Sequence, residues 1–140
     1  MTPQQITLVR DSFAAVQTIA KPAAALFYKN LFDSDPTIHL LFRGDMEKQG
    51  VLLLGMIGSA VRLLDKPEML MPILQKLGAG HVAYGVKDEH YPLVGNALIK
   101  TLGQGLGDAF TPETKAAWEE AYAVMAAAMI SAAHEAGAAP

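Results

Sequence analysis

The chain has 140 residues, of which 51% are hydrophobic, and a formal net charge of −3 at pH 7; this length suits one domain with a buried core. The absence of cysteine excludes disulfides, thiolate catalysis and cysteine-based metal sites, and the 11 lysines and arginines form no run that would bind nucleic acid. The first residues have no secretory-signal pattern and the most apolar run, residues 51–64, is too short for a membrane span of about 20 residues, so we expect a cytoplasmic protein without a membrane partner.

Prolines and capping residues divide the chain into seven predicted helices. Thr2-Pro3 with Gln5 forms a capping pattern, and Pro22, Asp35-Pro36 and Thr111-Pro112 open later helices in a similar way. The helices are predicted at about residues 3–16, 22–32, 36–42, 48–64, 68–81, 90–106 and 112–133. Alternation typical of strands is absent, so the sequence predicts one all-α domain over residues 1–140, with a tail that frays from about residue 135.

His81 ends an apolar stripe on the fifth predicted helix. Leu70, Leu74, Leu77 and His81 recur at intervals of three and four, so one helical face carries leucines followed by an imidazole. A neutral imidazole between apolar helices can ligate iron through one ring nitrogen, while the other nitrogen donates a hydrogen bond to the Leu77 carbonyl. The spacing alone more often indicates a core histidine with satisfied hydrogen bonds.

The segments around His81 resemble a known family. Leu77-Gly78-x-x-His81, Gly85-Val86 and His90-Tyr91-Pro92-Leu93-Val94-Gly95 resemble the proximal haem-binding segment of globins, specifically bacterial single-domain haemoglobins and the haem domain of flavohaemoglobins. Leu106-Gly107-x-Ala109-Phe110-Thr111-Pro112, with Trp118 and Tyr122 after it, is also similar to neuroglobins. The resemblance covers nearly the whole chain and implies a three-over-three globin fold around haem b (iron protoporphyrin IX), with His81 as the iron ligand.

The resemblance also assigns the opposite, distal side of the haem. Phe42 matches the phenylalanine that packs flat on the porphyrin, Gln49 the distal gate, Leu53 the apolar residue one turn later, and Tyr28 the distal tyrosine of bacterial haemoglobins. A phenol in an apolar cavity can donate a hydrogen bond to bound dioxygen, worth about 1–3 kcal/mol. Without the resemblance, the same residues fit a core phenylalanine, an exposed glutamine at a helix start and a core tyrosine.

The proximal side departs from the flavohaemoglobin pattern at one position. In that family the tyrosine matching Tyr91 joins the proximal histidine and a glutamate of the last helix, which makes the imidazole more anionic. The glutamate position is Ala133 here, and Glu135 is expected to point away. The missing carboxylate weakens the case for catalysis. Four residues are interpreted as haem-pocket or core contacts: Val86, Tyr91, Leu98 and Met125.

The other three histidines bear on the coordination of the iron. His39, His90 and His134 all lie off the distal helix, so the resemblance implies an open sixth coordination site rather than two histidine ligands.

Three functions remain open at this point. The leading hypothesis is a globin, monomeric or weakly dimeric, that binds O₂ reversibly and tightly and also binds CO and NO, which suits scavenging or sensing better than bulk transport. The enzymatic alternative is a nitric oxide dioxygenase that needs a separate reductase. The third is a globin-fold signalling module without haem, against which His81, Phe42 and Tyr28 all argue.

Overall fold

The structure is a computed structural model that describes residues 1–41, 45–83 and 86–138. This part of the chain contains helices and no strand. The six α-helices are α1 (Pro3–Gln17), α2 (Ala20–Ser34), α3 (Met46–Arg62), α4 (Pro67–Ala83), α5 (His90–Leu106) and α6 (Pro112–Ala138), with short 3₁₀ helices at Pro36–Leu41 and Gly107–Ala109. Within the described residues, no helix combines the length and apolarity needed to cross a lipid bilayer.

The all-α prediction is confirmed, but the predicted number of α-helices differs from the structure by one. The third predicted helix is the 3₁₀ helix Pro36–Leu41, which has 6 residues; so short a segment gains little from α-helical propagation and often takes the tighter 3₁₀ form. Asp35 caps it, accepting a hydrogen bond from the Thr37 backbone N–H at 2.9 Å. At the other end of the chain α6 continues to Ala138 instead of ending near Ala133.

The start of α1 follows the capping pattern that the sequence indicates, whereas α2 begins at Ala20 instead of Pro22, without a side-chain cap, and α3 begins at Met46 instead of about residue 48. Thr2 accepts a hydrogen bond from the Gln5 backbone N–H at 3.1 Å, and the Gln5 side chain accepts one from the Thr2 N–H at 2.9 Å. Asp45 accepts from the N–H groups of Glu47 and Lys48 at the start of α3. These caps satisfy backbone donors that have no partner inside the helix, so the starts of α1 and α3 are determined locally.

The core is organised around α6. Trp118 of α6 is 0% exposed, lies beside Phe13 of α1, and donates its indole N–H to Ser12 Oγ at 2.8 Å. Helix α4 packs along α6 so closely that a Cβ added to Gly78 would lie 2.2 Å from the Met129 backbone oxygen. On the other side of the core α2 packs across α5.

A buried polar contact joins α2 to α5. The Asn30 amide donates to Thr101 Oγ1 at 3.0 Å and to Gln104 Oε1 at 2.9 Å. Thr101 in turn donates to the Ala97 carbonyl at 2.7 Å. Satisfied polar groups of this kind specify one arrangement of the two helices, because any other would leave them buried without partners.

The region between α3 and α4 is called the slot below, because these two helices do not pack on each other. Helix α3 packs on α2 and α1, and α4 packs on α6, but within the described residues α3 and α4 make almost no contact with each other. Several apolar side chains of these two helices are incompletely buried: Leu53 and Leu77 are half-buried, and Met56 is 43% exposed. A large apolar ligand held between helices would cover such surfaces.

Replacement of Ser12 by alanine should lower the free energy of unfolding by about 1–3 kcal/mol, because the buried Trp118 N–H would lose its acceptor. Urea titration followed by the fluorescence of Trp118, the single tryptophan of the chain, measures this loss. Ser34→Ala is the matched control, since the Ser34 hydroxyl donates only to the Asn30 carbonyl of its own helix. Equal, small effects of the two substitutions would contradict the structural role of Ser12.

Candidate functional site

His81 lies on the last turns of α4 and is half-buried. Its Nδ1 atom lies 3.1 Å from Tyr91 Oη, so the hydrogen-bond partner is Tyr91 of α5 rather than the expected carbonyl of Leu77. Burial lowers the pKa of His81 below its usual value of 6.5, which favours the neutral imidazole. Tyr91 thus engages Nδ1, whereas Nε2 makes no hydrogen bond to a described residue. In the tautomer with the proton on Nδ1, which donates to Tyr91, Nε2 has the lone pair that a metal ligand requires.

Tyr91 is buried and held at both ends of its backbone. Its N–H donates to the Asp88 carbonyl at 3.2 Å, and its carbonyl accepts from the Tyr122 hydroxyl at 2.6 Å. Gly95 permits this approach, because a Cβ there would lie 2.5 Å from Tyr122 Cε2. Burial and, secondarily, the charge of Asp88 raise the pKa of Tyr91, so the phenol stays protonated beside His81. The sequence indicated Tyr91 as a site residue but not the role of Tyr122.

The carboxylate expected at this pair in flavohaemoglobins is absent from α6. Ala133 is 8% exposed, and Glu135 is exposed. Within the described residues, Tyr91 Oη makes no hydrogen bond to a carboxylate. The direct contact at His81 is thus a neutral phenol.

Tyr28 lies on α2 in an aromatic cluster. Its ring stacks on Phe32 with centroids 5.8 Å apart and meets Phe27 edge-on at 5.4 Å. The side chain is 6% exposed, and burial raises the pKa of its phenol, which therefore remains a hydrogen-bond donor at neutral pH.

Gly50 brings the start of α3 against Tyr28. A Cβ at this position would lie 2.7 Å from Ala24 Cβ and 3.4 Å from Tyr28 Cε2, so only glycine allows the two helices to approach this closely. Gln49, the preceding residue, is half-buried. The crossing brings the helix segment that carries Gln49 next to the one that carries Tyr28. In the sequence, the glycine directly after the predicted distal glutamine is the signal that could have indicated this close approach of two helices.

The remaining predicted contacts are distributed over the other helices. Leu53 of α3 and Leu98 of α5 line the same small apolar cavity, of about 10 Å³, and Met125 of α6 is 6% exposed in the core. Val86 is half-buried, and its N–H donates to the His81 carbonyl at 3.1 Å. Phe42 lies outside the described residues.

The residues present fit a haem ligated by a histidine. Helices α3 and α4 carry incompletely buried apolar side chains, and the half-buried, neutral imidazole of His81 has one ring nitrogen that makes no hydrogen bond to a described residue. Tyr91 occupies the other ring nitrogen and orients the ring, as hydrogen-bond partners of metal-ligating histidines do.

Comparison with known proteins finds similarity to globins and to flavohemoproteins. The family model described as Globin matches residues 25–129. The flavohemoprotein of Rhodopirellula baltica is 32% identical over 129 residues, which are 90% of this chain and 32% of the relative. That of Bacillus subtilis is 30% identical over 128 residues, or 89% of this chain and 32% of the relative. The chain thus spans about a third of the length of these relatives.

Two solved structures are similar over nearly their full lengths. One is an engineered carbene transferase, described as a "putative nitric oxide dioxygenase from Rhodothermus marinus", with a TM-score of 0.87, 28% identity and coverage of 99% of this chain and 96% of that one. The other is a bacterial globin from Campylobacter jejuni, with a TM-score of 0.82, 30% identity and coverage of 96% and 97%.

The state of His81 leads to a pH dependence of stability. The unfolded chain takes up a proton at His81 near pH 6.5, whereas the folded chain does so only at lower pH. Without added cofactor, the protein should therefore lose stability as the pH falls below 6.5, and His81→Gln should lack this part of the loss. Urea unfolding of both proteins at pH 7.5, 6.5 and 5.5 measures the difference. Identical pH slopes would show that His81 is as hydrated in the folded chain as in the unfolded one.

Proposed function

The chain belongs to the globin family, and on that basis we propose that it binds haem b through His81 and uses it to bind dioxygen reversibly, with CO and NO as further ligands. The observation that carries the proposal is the state of His81: its pKa is lowered by burial, Nδ1 is engaged by Tyr91 and Nε2 is available beside the slot. The relatives named as flavohemoproteins support haem as the group.

When bound, haem b would supply an iron that binds a diatomic ligand. The residues of the chain would hold and orient the group. His81 would provide a nitrogen ligand, and Tyr91 would keep the imidazole in one tautomer and orientation. Leu53 and Leu98, which line a small apolar cavity, would disfavour water in the proposed haem pocket.

Tyr28 and Gln49 are proposed to bond the gaseous ligand. Tyr28 lies on α2 and Gln49 lies on α3, in the two helix segments that meet at Gly50. The phenol of Tyr28 is protonated and buried. A donor held in an apolar pocket stabilises a ligand that carries partial negative charge and slows its release. Phe42, Val86 and Met125 complete the proposed haem contacts.

His81→Ala should abolish stable haem binding, because no other described residue offers a neutral imidazole at this place in the slot. The test is the Soret absorption of protein purified with haem supplied, before and after gel filtration. Added imidazole should restore part of the band in the variant, which separates a lost ligand from a misfolded pocket. A full Soret band in His81→Ala would contradict the assignment. No band in the unaltered protein would leave the haem-free module as the function.

Tyr28→Phe should speed the release of O₂ about five- to a hundredfold, the effect of losing a hydrogen bond worth about 1–3 kcal/mol. Stopped-flow displacement of O₂ by CO measures the rate. Release of CO, a weaker hydrogen-bond acceptor, should change less and serves as an internal control. An unchanged O₂ off-rate would mean that the phenol does not face the ligand.

Nitric oxide dioxygenation is the second candidate, and the His81–Tyr91 hydrogen bond favours it because it makes the imidazole more electron-donating. The reaction joins NO, O₂ and one electron into nitrate, and the electron must come from an external reductase. Ala133, in place of a carboxylate, weighs against rapid turnover. NO consumption measured with a supplied flavin reductase decides between the two: many turnovers per haem indicate an enzyme, and a single stoichiometric reaction indicates a binder.

A further inference from the structure

A side-chain contact ties the connection between α4 and α5 to the last turns of α6. His134 Nε2 donates a hydrogen bond to Asp88 Oδ2 at 2.5 Å, between residues that are 46 positions apart. Both side chains are largely exposed, at 65% and 53%. His134 directly follows Ala133, the position where flavohaemoglobins have their glutamate.

The same connection sets the positions of His81 and Tyr91. The Val86 N–H donates to the His81 carbonyl at 3.1 Å, and the Tyr91 N–H donates to the Asp88 carbonyl at 3.2 Å. Between them the Lys87 N–H donates to His90 Nδ1 at 2.9 Å. Asp88 is therefore bound through its backbone to Tyr91 and through its carboxylate to α6.

We propose that Asp88 and His134 are positioning residues for the His81–Tyr91 pair: His134 holds the Asp88 turn against α6, and this turn holds the Tyr91 phenol at His81 Nδ1. The contact fixes Tyr91 from one side, and the Tyr122 hydroxyl on its carbonyl fixes it from the other. Both contacts come from α6. The helix that carries His81, α4, also packs on α6. Of the two tests that follow, the measurement on the haem-loaded protein rests on the proposed haem binding, and hydrogen exchange of the protein without haem does not.

Asp88 also supplies a negative charge on this side of the site. After burial, its charge is the second cause that raises the pKa of Tyr91, so the carboxylate acts on the phenol through space. A negative charge that acts on the Tyr91 phenol would make the imidazole bonded to this phenol more electron-donating. The chain thus carries an exposed carboxylate three residues before Tyr91, in the connection between α4 and α5, and alanine at position 133.

The first test is hydrogen exchange of backbone amides in the protein without added haem. Asp88→Asn and His134→Ala should each speed exchange at Val86 and Tyr91 about two- to fivefold, the scale of an exposed ion pair, with no change in global unfolding. His134→Gln keeps a donor and should restore slow exchange. Asp33→Asn removes the exposed Lys29–Asp33 pair of α2 and is the matched control with no effect. Unchanged exchange at both amides in both variants would overturn the proposal.

The second test uses the haem-loaded protein. Asp88→Asn should lower the iron–histidine stretching frequency of the ferrous form and raise the midpoint potential, because a negative charge is lost. His134→Ala leaves that charge in place and should not raise the potential. A stretching frequency and potential unchanged in Asp88→Asn would overturn the electrostatic role. If the chain takes up no haem, the proposed function fails while the exchange measurement still decides the positioning role.

Discussion

The packing of α4 along α6 is the constraint on which the site depends. Gly78 lets the backbone of α4 meet that of α6 at Met129, and this contact leaves α4 free of α3, its neighbour in sequence. Helix α3 is held instead by α2, at the contact of Gly50 with Ala24. Each of the two helices is thus supported by a different neighbour, and within the described residues α3 and α4 make almost no direct contact. Gly78 and Gly50 mark the two close helix contacts on which this arrangement rests.

Helix α6 also supports the residues next to His81, through its contacts with Tyr91 and Asp88. Along its length it carries Trp118 in the core, Tyr122 on the Tyr91 carbonyl and His134 on Asp88. A 27-residue helix is a rigid element, so these contacts hold α4 and the start of α5 in one geometry. The hydrogen bond from His81 to Tyr91 joins the two helices that α6 supports. Through this hydrogen bond, the packing of the helices determines the partner of one imidazole nitrogen, Nδ1 of His81.

The predicted site residues His81, Tyr28 and Tyr91 carry no formal charge at neutral pH. Burial lowers the pKa of His81 and raises the pKa of the Tyr28 and Tyr91 phenols, so the imidazole is neutral and both phenols are protonated. After burial, the charge of the exposed Asp88 is the second cause that raises the pKa of Tyr91. Desolvation would penalise a carboxylate buried beside the pair, whereas an exposed one keeps its hydration and still acts over a few ångströms. This arrangement fits a ligand-binding site with a modest anionic influence on the proximal side.

Much of the fold followed from the sequence by itself, because helix caps and apolar periodicity act within about four residues. Thr2 with Gln5 and the leucine stripe ending at His81 are signals of this kind. The third predicted helix became a 3₁₀ helix, since a segment of 6 residues takes its form from its surroundings as much as from its cap. For the site, the sequence indicated His81 and Tyr91 separately. Only the tertiary structure decided that they share a hydrogen bond, that Gly50 lies against Tyr28, and that Asp88 meets His134, because contacts between residues 10, 22 and 46 positions apart depend on how the helices cross.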